Sequence, residues 1–286
     1  MSVAAALAWA MAVILFRISG RKVHPLALNL FKSLASSLFL LFTLAAAGGP
    51  LFARAPIKTY AMLAASGITG IALSDTFFLR CLNLMGAGLT AVVDCLYSPF
   101  VIILSIAVLG ERMKALQVAG VVLILFAILI VSVKKGETSL PGKSLAKGMA
   151  LGALAMLFQA AGIVMMKPFL SGVSILWATW IRVTAGVLAL GIFLAFHPGR
   201  RSIMRPLLVF KNWKAMVPAA FLGSYIGLLA WMAGMKLTRA VVAAPLNQLN
   251  TIFIFMLAAL FLKEKATPVK IAAVVLAFAG AFLASI

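Results

Sequence analysis

Acidic side chains are scarce in this chain of 286 residues: Asp75, Asp94, Glu111, Glu137 and Glu264 are the whole set, against 25 lysines and arginines. Histidine occurs only at His24 and His197, each just before a proline, and neither has a helical metal-binding partner at i+4. Cys81 and Cys95 are the only cysteines, too few for a disulfide framework and wrongly spaced for a metal, so they read as small buried apolar side chains. The motifs GxSxG, P-loop and DxDxDG are missing. Asp75 and Asp94 stand 19 residues apart without the flanking glycines of an aspartyl dyad. With no nucleotide domain, a primary pump is excluded. No metal and no cofactor are expected. A membrane-embedded enzyme, or a scaffold or assembly subunit without transport, is the alternative reading rather than the leading one.

What the chain has in abundance is apolar surface. It is 65% hydrophobic and 10% charged, with a mean hydropathy of +1.17, which no soluble domain of this length carries. A span needs about 20 mainly apolar residues. Ten runs qualify as candidates: 3–19, 27–47, 60–79, 88–109, 115–133, 148–166, 174–196, 215–235, 240–261 and 268–285. The first run lacks a basic segment before it and reads as a retained helix rather than a cleaved signal. The expected fold is an all-α polytopic membrane protein, multi-pass in the cell (inner or cytoplasmic) membrane. The net charge of +20 would suggest nucleic acid in a soluble protein. Here the cations cluster at helix ends, as at Arg17, Arg21 and Lys22 or Arg200, Arg201 and Arg205, where they snorkel to lipid headgroups. The expected partners are therefore the bilayer and a small solute, not nucleic acid, with the chain a monomer or weak dimer.

The chain also repeats itself. Leu109-Gly110-Glu111 and Leu262-Lys263-Glu264 lie 153 residues apart, each between two apolar runs. At that offset Asp94 falls on Asn247, Tyr97 on Asn250 and Ser98 on Thr251. Earlier in each half the offset is 150, pairing Lys32 with Arg182 and Arg17 with Lys167. Five spans per half is an odd number, so the second copy enters the bilayer upside down. The expected organisation is two inverted five-helix repeats, 1–135 and 148–286, joined by a basic loop at 136–147. Inverted repeats are the construction of many secondary transporters, with the solute held between halves near mid-membrane.

The basic residue early in the second helix of each half (Lys32, Arg182), the prolines of the fourth helices (Pro99, Pro245) and the doubled Leu-x-Glu junction resemble the drug/metabolite transporter superfamily, in its ten-helix EamA-type branch. The resemblance covers essentially the whole chain. The sequence departs from the pattern in having Lys32 for the more usual arginine, Lys263 for the glycine before the second glutamate, and Pro245 earlier in its helix than Pro99. The resemblance implies both termini in the cytoplasm. The distribution of cations between the two sets of loops favours the opposite orientation.

A charge at bilayer depth costs at least ~2.5–3.5 kcal/mol, so an unforced one is a functional candidate. Lys32, Asp75, Asp94 and Arg182 qualify. Lys32 has either carboxylate within reach, and a structural ion pair with Asp75 is as good a reading of that residue as a functional one. Asp94, Tyr97 and Ser98 share one helical face at i, i+3 and i+4, and Asn247, Asn250 and Thr251 repeat the spacing. Interhelical bonding alone explains such residues at ~0.6 kcal/mol each. Six aligned polar positions exceed that need and point to a shared cavity. Arg182 suits an anionic or zwitterionic metabolite, through a two-pronged grip on carboxylate or phosphate. Proton coupling, if present, runs through Asp75 or Asp94. Trp9, Phe16, Phe78, Trp177, Trp180 and Trp231 are candidate wall residues. Glu111 and Glu264 read as structural hinges paired with neighbouring lysines and arginines. The small-xxx-small pairs Gly148/Gly152 and Gly223/Gly227 read as intramolecular packing. The leading reading is a secondary carrier for an amino acid or related zwitterion or anion, with export a possible direction.

Overall fold

A computed structural model describes residues 2–51, 53–110, 114–133, 141–237 and 249–285. Ten apolar helices follow one another among the described residues. They are α1 (Ser2–Gly20), α2 (Pro25–Ala46), α3 (Ile57–Met85), α4 (Ala87–Leu109) and α5 (Ala115–Val133), then α6 (Gly142–Phe169), α7 (Ile175–Phe196), α8 (Phe210–Leu237), α9 (Leu249–Leu262) and α10 (Pro268–Ser285). Six of them, α2, α3, α4, α6, α7 and α8, are long and apolar enough to cross a bilayer core. The other four are apolar but shorter as described. A short helix, Arg200–Met204, lies in the link between α7 and α8.

Local chemistry sets the helix ends. Pro25 occupies the first turn of α2, where its missing N–H costs nothing, and His24 Nδ1 accepts the Leu26 N–H as a cap. Gly86, at φ 84°, separates α3 from α4, and Gly110, at φ 67°, ends α4. Helix α3 runs six residues past the expected 79 and α6 begins six residues before the expected 148, because polar residues at a helix end do not stop the backbone ladder.

Packing follows the repeat. α1 lies against α8 and α9, as α6 lies against α3 and α4. α2 packs on α7, and α5 on α10. Both third helices loosen into π-helix at matching places, Ile68–Leu73 in α3 and Ala220–Gly227 in α8, the latter just after Pro218. A π segment frees carbonyls from the regular ladder, and α2 supplies donors to both. Asn29 Nδ2 bonds Ile71 O at 2.8 Å and Ala72 O at 3.3 Å, while Ser36 Oγ bonds Ser224 O. Helix α3 also comes close to α7: a Cβ on Gly67 would stand 2.0 Å from the Arg182 carbonyl oxygen. Gly148 and Gly152 meet Met85, Val93 and Cys81, and Gly223 meets Ala12 and Trp9, so these small-residue pairs serve packing within the chain.

Candidate functional site

Helices α1, α2, α3, α6, α7 and α8 surround a central space of two adjoining lobes. One is lined by Lys32, Asp75, Gln159, Arg182 and Gly223. The other adds α4 and α9 through Asp94, Tyr97 and Asn250, with Phe78 and Trp231 as walls. Trp9, Asp75 and Gln159 border both.

In the first lobe Lys32 Nζ meets Asp75 Oδ2 at 2.5 Å, an ion pair joining α2 to α3. Asp94 is placed in the other lobe, so of the two carboxylates within sequence reach Lys32 takes Asp75. Arg182 is fully buried. Its Nη1 donates to Met232 Sδ at 3.7 Å and its guanidinium lies 5.1 Å from the Trp231 ring centre. Its Nε and Nη2 have no hydrogen-bond partner among the described residues. These two nitrogens share one edge of the guanidinium plane and direct parallel N–H groups, the geometry that grips a carboxylate. Gly70 makes the room: a Cβ there would stand 2.3 Å from Nη2 and 3.1 Å from Gln159 Oε1.

Gln159 Oε1 is likewise buried without a partner among the described residues, and the Tyr97 hydroxyl is buried beside Trp231. In the second lobe the Asp94 carboxyl shares a hydrogen bond with the Asn250 side chain. Charges are therefore divided: two cations and Asp75 around one lobe, Asp94 and Asp75 beside the other.

Not every expected residue reaches this space. Ser98 is buried and borders neither lobe, and Thr251 faces Cys95 Sγ at 3.5 Å. The reason is a break in α4. Asp94 ends its first piece and Tyr97 begins the second, with Cys95 and Leu96 in a tight turn. Pro99 has no N–H to give the Cys95 carbonyl and its ring crowds that carbonyl, which forces the turn. Asn247, Pro245 and Glu111 lie outside the described residues. Of the candidate walls, Trp9, Phe78 and Trp231 line the space, whereas Phe16 packs in the core and Trp177 donates to Leu51 O at 3.1 Å.

Sequence reasoning missed Gln159 and the buried residues Asn29, Ser33 and Ser36, which with Lys32 form a polar stripe on α2. Both left a signal. Gln159 is a lone amide in an apolar run, aligned with Trp9 at the 150-residue offset, and the stripe has helical i, i+3, i+4, i+7 spacing. Glu264 also differs from its expected local pairing: it accepts the backbone N–H groups of Ala87 and Gly88 in the other half of the chain.

The model of the EamA-like transporter family matches the sequence twice, over residues 1–133 and 146–286. The chain belongs to the EamA-like transporter family. It is thus a multi-pass membrane transporter of the drug/metabolite superfamily, built of two repeats. A solved structure described only as "Crystal structure of protein" superposes with a TM-score of 0.69 over 98% of this chain and 96% of that one, at 18% identity, which speaks for the fold alone. No curated protein matches the sequence significantly.

Proposed function

We propose that this EamA-like protein is an alternating-access secondary carrier for a small carboxylate-bearing metabolite, an amino acid or related zwitterion or anion, in the cytoplasmic membrane. The observation that carries this reading is the buried Arg182 edge, Nε and Nη2, without a hydrogen-bond partner among the described residues, on a side chain that lines the central space. Buried unpaired donors are costly, and a charged one more so. A solute carboxylate satisfies both at once. Gln159 Oε1 and Asp94 then offer acceptors to an ammonium group on the same solute. The divided charges match a zwitterion better than a pure anion.

All ten helices span in this reading, and the two halves are inverted. Contacts at the chain turns support that. The α1–α2, α3–α4 and α9–α10 turns meet through Arg17, Asn83, Gly20, Ala87 and Glu264. The α2–α3, α6–α7 and α8–α9 ends meet through Leu51, Trp177, Val173 and Lys236. Alternate turns at alternate ends leave five crossings per half, and rocking of one half on the other exposes the cavity to one side at a time. Asp75 is held by Lys32, which leaves Asp94 as the better coupling site for any proton exchange.

Counterflow of labelled amino acids in proteoliposomes tests the proposal, with export-directed vesicles first. Uptake into preloaded vesicles, lost in Arg182→Lys and kept in Lys32→Arg, is the expected result. Flux of no amino acid or carboxylate, or equal flux in both variants, contradicts it.

A further inference from the structure

At one end of the bundle a carboxylate clasps one half to the other. Glu264, in the α9–α10 turn, accepts the N–H groups of Ala87 at 2.8 Å and Gly88 at 2.9 Å, at the start of α4. Glycine makes this approach possible: a Cβ on Gly86 would stand 2.6 Å from Glu264 Oε1, and one on Gly88 3.2 Å from Oε2. The first N–H groups of a helix lack intrahelical partners and sit at its positive end, so a carboxylate is held there by charge-assisted bonds. Beside the clasp, Arg17 Nη1 donates to Asn83 O at 2.8 Å and Asn83 Nδ2 to Gly20 O at 3.0 Å, closing α1 against α3.

The clasped piece of helix is short. It runs from Ala87 to Asp94, 8 residues, and ends at the break above Pro99. Glu264 grips one end while Asp94 borders the cavity at the other, about 10 Å away at the helical rise. A stiff stub thus links the solute space to the clasp. The opposite end of the bundle is also engaged, through Lys167 Nζ to Met235 O at 2.8 Å, Lys236 Nζ to Val173 O at 2.7 Å, and Trp177 Nε1 to Leu51 O at 3.1 Å. The donors repeat between the halves: the 150-residue offset brings Arg17 onto Lys167, and the later 153-residue offset brings Asn83 onto Lys236.

We propose that Glu264 is a gating residue: its release from Ala87 and Gly88 opens the cavity at the α9–α10 end, and the Ala87–Asp94 stub transmits the state of the solute site to it. The proposal rests on the transport reading for what passes, but its test needs no flux. A Met156→Cys reporter, at a position of α6 that lines the second lobe, in a background with Cys81→Ala and Cys95→Ala, is labelled by a membrane-impermeant thiol reagent in vesicles of each orientation. Glu264→Ala, which removes both bonds, should raise the labelling rate at least about tenfold from the α9–α10 side and not from the other, tenfold being the effect expected for the loss of a single charge-assisted bond. Glu264→Gln, which keeps the shape and one acceptor, should rise less and report the same side should the alanine variant fold poorly. Lys167→Met with Lys236→Met should raise labelling from the opposite side. Unchanged labelling in the Glu264 variants, or an equal rise from both sides, makes Glu264 a plain helix cap and overturns the proposal. Sided labelling without flux of any solute would keep the gate and sink the transport reading.

Discussion

Lys32 and Arg182 face one carboxylate in the first lobe, and this imbalance governs how substitutions there behave. Asp75 is held by Lys32 and also lies in the field of Arg182. Asp75→Asn therefore leaves two buried cations without an anion, and breaking a buried pair from one side costs about 3–5 kcal/mol. The double change Lys32→Met with Asp75→Leu removes the pair and leaves Arg182 alone uncompensated, so it should be closer to neutral than the single change. Melting of detergent-purified variants checks the order: the single variant is expected to melt lower than the double. A second residue-scale expectation concerns His24, at the start of α2 outside the span. Burial, then Arg80 and His197, lower its pKa from the ordinary histidine value. Its Nδ1 is a hydrogen-bond acceptor for Leu26 N–H, a role only the neutral ring fills. A depressed histidine pKa adds stability that is present above the unfolded value, about 6.5, and lost as pH falls through the folded value. The melting temperature should fall between pH 7 and pH 5, and fall less in His24→Gln. The sequence showed Lys32, Asp75, Asp94 and Arg182 because charge in an apolar run is conspicuous. It hid which cation pairs with which carboxylate, since that depends on the rotation of three helices.

At the scale of elements, backbone irregularity positions the site. The break above Pro99 turns Asp94 and Tyr97 toward the lobes and leaves Ser98 behind, and the π segments of α3 and α8 flank the space. Proline was readable in the sequence; a π segment has no signature there, because it reflects the fit of Gly67, Gly70 and Gly186 between packed helices. The Leu-x-Glu junctions show the same limit. Their repetition was plain, but capping of one half's helix by the other half's glutamate is a long-range contact that spacing does not reveal. Within the second junction Lys263 adopts φ 54°, where its repeat counterpart Gly110 adopts φ 67°. A non-glycine residue pays roughly 1–2 kcal/mol in that region. Lys263→Gly should therefore raise stability by about 1 kcal/mol, net of the unfolded chain's gain in freedom, visible as a higher melting temperature. No rise, or a fall, would mean that the Lys263 side chain contributes more than its backbone costs.

For the whole molecule, the central claim is that solute binds between the two halves with its carboxylate on Arg182. The apolar pattern and the repeat made the membrane class and two-part plan legible, because both follow from burial in lipid and from duplication. The cavity was legible only as an expectation that polar faces of α4 and α9 converge. Gln159 and Gly70, which shape the anionic end, emerged from the packing of α3, α6 and α7. A ligand that binds the folded state must raise its stability, by about 2.7 kcal/mol at a hundredfold excess over Kd. The most direct measurement is thermal stabilisation of the purified protein across a metabolite library, run beside Arg182→Lys. Stabilising compounds that share a carboxylate, and lose most of their effect in Arg182→Lys while the unliganded variant stays folded, are the predicted result. Stabilisation by compounds without a carboxylate, or by carboxylates equally in both proteins, would contradict it.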